Sequence, residues 1–217
     1  MLIVQQPATR LNLKELLTDQ QRARLISKTY RPGETIYSEG EDPKGIFFLK
    51  SGILALTYNS ENGAESLLRV FTNCVFFGHR SYLAADQYHA TLTVLKEAEI
   101  RFLDQELTEE VFAQNPKVLL HVAQTMAVDL RNAENRLRDM VGKKASQRVI
   151  EALLYLKHKN EDFPWTRREI GEFCGVKTET VSRALGELES LNLIRREGRS
   201  IAIVDELKLV DYLNEPS

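Results

Sequence analysis

Glu179, Ser182 and Arg183 are the residues of this 217-residue chain whose types and spacing suggest the most definite chemistry. If residues from Thr178 to Leu191 form a helix, Val181, Leu185 and Leu188 recur at helical spacing toward a core, and these three polar residues share the outer side. An arginine can bond guanine through two donors, a glutamate can accept from the amino group of cytosine, and a serine can serve a base or a phosphate. Upstream, Thr166 followed three residues later by Glu169 is a capping box, which opens a helix from Arg167 to Cys174. Gly175 then allows a sharp turn, and Thr178 is placed to cap the second helix. Charges of this kind are common on any solvated helix. The preceding helix, the glycine turn and the basic hairpin carrying Arg195, Arg196 and Arg199 point instead to a recognition helix in a DNA major groove. Backbone contacts to double-stranded DNA are expected from Lys143, Lys144, Arg167, Lys177, Thr178, Thr180 and the three hairpin arginines.

The elements that position these residues follow from composition and periodicity. A chain that is 43% hydrophobic and 28% charged has the makeup of a globular protein of one large or two modest domains. Its net charge of -2 hides a division: residues 1–110 carry 12 Lys and Arg against 15 Asp and Glu, whereas residues 131–200 carry 15 against 11. The basic excess lies with the residues expected to meet DNA. Cys74 and Cys174 are the only cysteines, too far apart in sequence for a CxxC metal pair or a disulfide framework, so no metal site is expected. The first residues lack the pattern of a secretory leader, and no stretch approaches the roughly 20 consecutive apolar residues of a membrane helix. The expectation is a cytoplasmic protein with no membrane partner.

From Tyr30 to Leu103, short apolar runs alternate with turns, among them Pro32-Gly33-Glu34, Gly40 to Pro43, Lys50-Ser51-Gly52 and Asn59 to Gly63. That spacing predicts an antiparallel all-β half. Then Leu119, Val122, Met126, Leu130, Ala133, Leu137 and Val141 fall at intervals of 3, 4, 4, 3, 4 and 4, an eleven-residue repeat along a helix that starts near Pro116 and meets no glycine until Gly142. So long and narrow an apolar stripe predicts a two-fold dimer seam formed by these seven residues, although packing on the chain's own β half is the simpler alternative. Past Gly142 the order is helix, helix, helix and a small hairpin. The expected fold is α+β: an antiparallel β-roll over 1–115, a long central dimerisation helix over 116–141 and a winged helix-turn-helix over 142–217.

Across nearly its whole length the chain resembles the CRP/FNR superfamily of bacterial transcription regulators. The resemblance is carried by Pro32-Gly33-Glu34, Gly40, Ile46-Phe47-Phe48-Leu49 and Gly52 in the first half and by Glu179-Thr180-Val181-Ser182-Arg183 in the second. It implies a cyclic-nucleotide-binding-like domain, a homodimer and RNA polymerase as a partner. In the FNR branch a Glu, Ser and Arg at this spacing read a TTGAT half-site, so the resemblance implies an inverted repeat of TTGAT and ATCAA. The CRP branch has an arginine where Thr178 stands, which argues against a TGTGA site.

The same resemblance places an effector pocket at Phe77, Gly78, His79, Arg80, Ser81, His89, Ala90 and Thr91, with Met126 and Ala133 from the central helix. Cyclic-AMP-binding members hold the ribose with a glutamate and the phosphate with an Arg-Ser pair. His79, His89 and Ala90 stand in those places, and Ala133 and Glu134 replace the adenine contacts, so cyclic AMP bound in the usual way is not expected. Arg80-Ser81 offers an anion site from a different position. An iron–sulfur cluster needs four cysteines in the FNR pattern, and two are present. Haem on His79, His89 or Cys74 is left open beside the plainer reading of those side chains as core and turn residues. A regulator without an effector, controlled by abundance, is the other alternative. No catalytic arrangement stands out, so no enzymatic activity is expected.

Overall fold

The computed structural model describes residues 12–198 and 200–214. In chain order the elements are α1 (Leu13–Leu16), α2 (Asp19–Ala23), β1 (Ile26–Tyr30), β2 (Thr35–Tyr37), β3 (Gly45–Asn59), β4 (Glu65–Phe71), β5 (Val75–Phe77), α3 (His79–Ala84), β6 (Thr91–Asp104), α4 (Gln105–Gln114) and α5 (Pro116–Gly142). They continue with α6 (Ala145–Lys159), α7 (Arg167–Cys174), α8 (Thr178–Ser190), β7 (Ile194–Glu197), β8 (Ser200–Ile203) and α9 (Glu206–Asn214). The fold is α+β, with an antiparallel β domain, a long helix and a helix-turn-helix followed by a two-stranded wing. No helix of the described residues is long and apolar enough to cross a membrane.

The β domain is one six-stranded antiparallel sheet with the order β1-β6-β3-β4, with β2 added to β6 and β5 to β3. β3 is buried on both faces, so its residues divide by strand alternation. Ile46 and Phe48 join Phe76, Leu103, Leu107, Val111, Val118 and Val122 beneath the flanking helices. Leu49, Leu54 and Leu56 join Tyr37, Phe77, Tyr88, Leu92 and Ile100 in a second core.

The turn that Lys50-Ser51-Gly52 leads one to expect is not formed: β3 runs through Gly52 as one bent strand of 15 residues. Its backbone has φ of +116°, and the ladder with β6 shifts register on both sides of it. A Cβ there would lie 2.5 Å from Ala98 Cα. The glycine therefore marks a bulge with close backbone approach, which a turn signal in sequence does not distinguish.

The structure falls into two compact units, one closing at Arg131 and the other opening at Asn132, so α5 is divided between them. In the β unit, Val118 and Val122 are fully buried and Met126 packs partly against the same cluster. Val122 thus belongs to its own core rather than to a seam, and Met126 is half committed to it. Leu119 and Leu130 are exposed, with Ala123 and Ala127 exposed at the positions next to Val122 and Met126. In the second unit Ala133, Leu137 and Val141 are exposed. The outward stripe therefore runs one residue past the predicted one in the middle of the helix, because the strict periodicity counted a core-facing valine and methionine with it.

Replacing Gly52 with alanine is expected to lower the stability of the β unit by about 1–3 kcal/mol, since the added methyl must displace backbone and adopt a strained φ. Urea denaturation of the purified variant checks it; an unchanged midpoint would show that the bulge accommodates a side chain.

Candidate nucleic-acid interface and sensor cavity

Thr166 caps α7 through its hydroxyl, which accepts from the Glu169 amide at 3.1 Å, while the Glu169 carboxylate accepts from the Thr166 amide at 2.7 Å. The Trp165 indole donates to the carbonyl of Asn160 at 3.0 Å and ties the entry of this helix to the end of α6. Gly175 takes φ of +67° at the end of α7, as the sharp turn requires. The helix that follows begins at Thr178 with Lys177 at its cap position, so Thr178 is the first helical residue and does not supply the expected cap. Val181, Leu185 and Leu188 are buried, while Glu179 and Arg183 are exposed and Ser182 is half-buried beside them. Arg167 reaches across from α7, donating to the Ser182 hydroxyl at 3.4 Å.

The residues expected to meet the DNA backbone separate into exposed and committed sets. Lys144, Arg167, Lys177 and Thr178 are exposed, as is Arg195 with Glu197 3.9 Å from its guanidinium, and Thr180 is half-buried. Arg196 is not free: its guanidinium and its amide both donate to the Glu189 carboxylate, which fastens the wing to α8. Arg199 lies outside the described residues. Lys143 is a correction. Its ammonium is ion-paired with Asp139 at 3.1 Å and with Glu151, and both carboxylates are buried. Burial alone would lower its pKa, but the hydrogen bonds and charges of Glu151 and Asp139 raise it, so the ammonium is fixed inside the unit and cannot serve a phosphate. The distal turns of α5 are held to α7 as well, since Arg136 donates to the Phe173 carbonyl at 2.6 Å and stacks over its ring at 4.4 Å. Nothing in sequence spacing separates Lys143 from its exposed neighbour Lys144.

In the β unit, Gly78, His79, Arg80, Ser81 and His89 line one small cavity with Tyr37, Leu56, Arg69, Phe71 and Tyr88. Phe77 is fully buried behind it, stacked on Phe47 at 5.0 Å, and Ala90 is sealed in the same core. Thr91 is engaged elsewhere, its hydroxyl accepting from the Glu39 amide at 3.1 Å. Met126 packs in the other core and does not join this group, and Ala133 belongs to the second unit. Arg69 is the residue that motif reading missed. It sits in the cavity wall and donates to Asp129 of α5 at 2.5 Å.

The cavity measures about 30 Å³, room for about one water molecule. His79 is nearly sealed, and neither of its ring nitrogens has a hydrogen-bond partner among the described residues. Its pKa is pushed down to about 4 by burial and then by Arg69, His121 and Arg80. His89 is also lowered to about 4, by burial and then by Arg80 and Arg69. Both imidazoles are neutral at pH 7, so the cationic character of the site comes from arginine. The Cys174 thiol donates to the Ile170 carbonyl at 3.0 Å, and burial pushes its pKa up to about 11, which leaves little reactive thiolate.

A family model described as a cyclic nucleotide-binding domain matches residues 27–115, and one described as a Crp-like helix-turn-helix domain matches residues 147–212. The CRP-like cAMP-activated global transcriptional regulator of Mycobacterium tuberculosis is 25% identical over 186 residues, covering 82% of this chain and 83% of the relative. The cAMP-activated global transcriptional regulator CRP of Pasteurella multocida is 26% identical over 183 residues, covering 80% and 88%. Among solved structures, FixK2 of Bradyrhizobium japonicum superposes with a TM-score of 0.76 at 23% identity, covering 89% of this chain and 98% of that one, a likeness of fold. A nucleotide-binding-like β domain followed by a winged helix-turn-helix defines a DNA-binding transcription regulator. The chain belongs to the CRP/FNR superfamily.

Lys143→Met is expected to cost about 3 kcal/mol, because Asp139 and Glu151 are left as buried carboxylates without their ammonium. Lys144→Gln leaves the thermal midpoint nearly unchanged, and equal midpoints for the two variants would contradict the buried triad.

The histidines add a pH dependence. Their folded pKa values lie below the ordinary value of 6.5, so the unfolded chain binds more protons between pH 6.5 and about 4. Their contribution to stability is complete above pH 6.5 and is lost as the pH falls toward 4. Urea midpoints measured across that interval decline in the wild type and decline less in His89→Gln and His79→Gln; identical slopes would exclude the assignment.

Proposed function

We propose that the protein is a homodimeric regulator that reads an inverted repeat of TTGAT and ATCAA. The β-roll would act as sensor, α5 as the pairing helix and the winged unit as the reader. The observation that carries this reading is the trio Glu179, Ser182 and Arg183, two exposed and the serine half-buried beside them, at the N-terminal end of a helix whose opposite face is buried. Arg183 is the candidate for guanine, Glu179 for cytosine, and Ser182 for a base or phosphate, with Arg167 positioned beside it. Lys144, Lys177, Thr178, Thr180 and Arg195 supply backbone contacts, with Arg199 by sequence position, and the binding falls steeply with salt. Arg196 contributes by bracing the wing.

Pairing is supported by the exposed apolar residues of α5: Leu119, Leu130, Ala133, Leu137 and Val141, with Ala123 and Ala127 in place of Val122 and Met126. A two-fold pair sets its recognition helices about one turn of DNA apart. RNA polymerase in the cytoplasm is the further partner this role implies.

The curated relatives are described as cAMP-activated. For this chain a second reading is favoured by the cavity: it lacks the expected phosphate pair, it holds about 30 Å³, and its Arg69 is already ion-paired with Asp129. Cyclic AMP is then without effect on operator affinity.

Arg183→Ala is expected to weaken binding to a duplex carrying the repeat by about 1–3 kcal/mol and to relax discrimination at one base pair of each half-site. Fluorescence anisotropy with labelled operator and scrambled duplexes, with and without cyclic AMP, measures both effects. Wild-type discrimination by the variant would overturn the readout, and sedimentation showing one chain per particle on the operator would overturn the pairing.

A further inference from the structure

A second, much larger cleft of about 540 Å³ lies on the other side of the two tyrosines that wall the small cavity. Its floor is a sheet face that strand register explains. Ile26, Lys28 and Tyr30 alternate onto one face of β1, Ile26 stands opposite Phe102 and Lys28 opposite Ile100 on β6, and Phe102 stands opposite Phe47 on β3. The loop through Gly40, Glu41, Asp42 and Lys44 borders it, with Ile36 of β2. Tyr37 and Tyr88, stacked at 3.7 Å with an angle of 11° between their rings, complete the wall and also line the small cavity behind them.

The volume is that of a small-molecule site, and the lining has the expected mixture of aromatic and aliphatic side chains with few polar groups. Ile26 is 58% exposed, an unusual position for isoleucine on a strand. Lys28 is the informative group. It sits between Ile26 and Tyr30 on the apolar face, its ammonium lies 4.2 Å from the centre of the Tyr30 ring, and it makes no ion pair among the described residues. Glu41 and Asp42 are exposed on the bordering loop. The rim carries Lys44 beside those two carboxylates, so its charges largely offset one another, and the apolar floor itself offers the single positive charge of Lys28, which suits one carboxylate.

We propose that this cleft binds an apolar monocarboxylate, its head on Lys28 and its body along Ile100, Phe102 and Phe47 toward the tyrosine pair. The carboxylate accepts from the Lys28 ammonium, and the body covers the exposed Ile26 and the half-buried Phe47 and Phe102. A ligand seated there presses on Tyr37 and Tyr88, and through them on the cavity whose Arg69 holds Asp129 of α5. This goes beyond DNA reading and does not depend on it.

Titration calorimetry on the full chain with octanoate and with phenylpropanoate, each beside its matching alcohol, tests the assignment without DNA. One or both carboxylates are expected to bind one per chain, about tenfold or more tighter than the alcohol, and Lys28→Gln to erase that difference. Ile26→Glu, an exposed site that leaves the fold intact, is expected to abolish binding while the urea midpoint holds. Octanoate alone binding identifies a fatty-acyl ligand, and phenylpropanoate alone an aryl one. The proposal is overturned if neither carboxylate binds, if the alcohols bind equally well, or if Lys28→Gln keeps the full preference.

Discussion

The geometry of the C-terminal unit rests on the absence of one methyl group. A Cβ on Gly171 would lie 2.6 Å from the Val176 carbonyl oxygen, so α7 meets the turn that follows it only because residue 171 is glycine. The amide of Val176 donates back to the Gly171 carbonyl at 3.0 Å and closes the turn. With that approach fixed, α8 packs Val181, Leu185 and Leu188 inward, and the remaining side of its first turns has nowhere to go but solvent. The exposure of Glu179 and Arg183, with the half-buried Ser182 beside them, is thus a consequence of close backbone contact rather than a property of those residues. A helix of the same sequence set at another angle would present a different surface.

Charge is used in two ways that composition does not separate. The lysines and arginines of the second unit give it a net positive sequence, yet Lys143 and Arg196 spend theirs internally, on Asp139, Glu151 and Glu189. Burial raises Asp139, but hydrogen bonds from Lys143 and Arg138 outweigh it and hold the carboxyl below its ordinary value, so its pair with Lys143 is charged at neutral pH within a triad that Glu151 completes. It joins the last turns of α5 to α6, and Arg136 joins them to α7. The basic surface left for a nucleic acid is smaller than the count of cations suggests, and more sharply localised around the two helix starts and the wing.

Much of this was legible from the chain. The α+β order, the capping box at Thr166 and Glu169, the turn at Gly175 and the inward face of α8 all follow from local chemistry, where one residue type dictates one backbone outcome. Failures came where a residue's role depends on a distant partner. Gly52 signalled a turn, but Ala98 across the sheet makes it a bulge. Lys143 and Lys144 are identical in sequence terms, and what separates them is the pair of buried carboxylates that Lys143 meets, Asp139 and, about two turns into the next helix, Glu151. Arg69 carries no motif, and its place in the cavity comes from the register of β4 against β3.

The long helix shows how a correct period can still assign the wrong residues. Apolar residues on α5 serve two surfaces, the β unit's core and an outer stripe, and on a helix these lie side by side. Val122 and Met126 satisfy the period of the outer stripe within about one residue, but a valine and a methionine are also what a core demands, and the core took them. The outer positions next to them are Ala123 and Ala127, flanked by Leu119 and Leu130. Small residues between large ones let two helices approach closely over the middle and interlock at the ends. The alanines, which a hydrophobicity count passes over as weak, are therefore the part of the stripe best suited to the proposed pairing, in which they would allow a closer helix separation than a valine and a methionine.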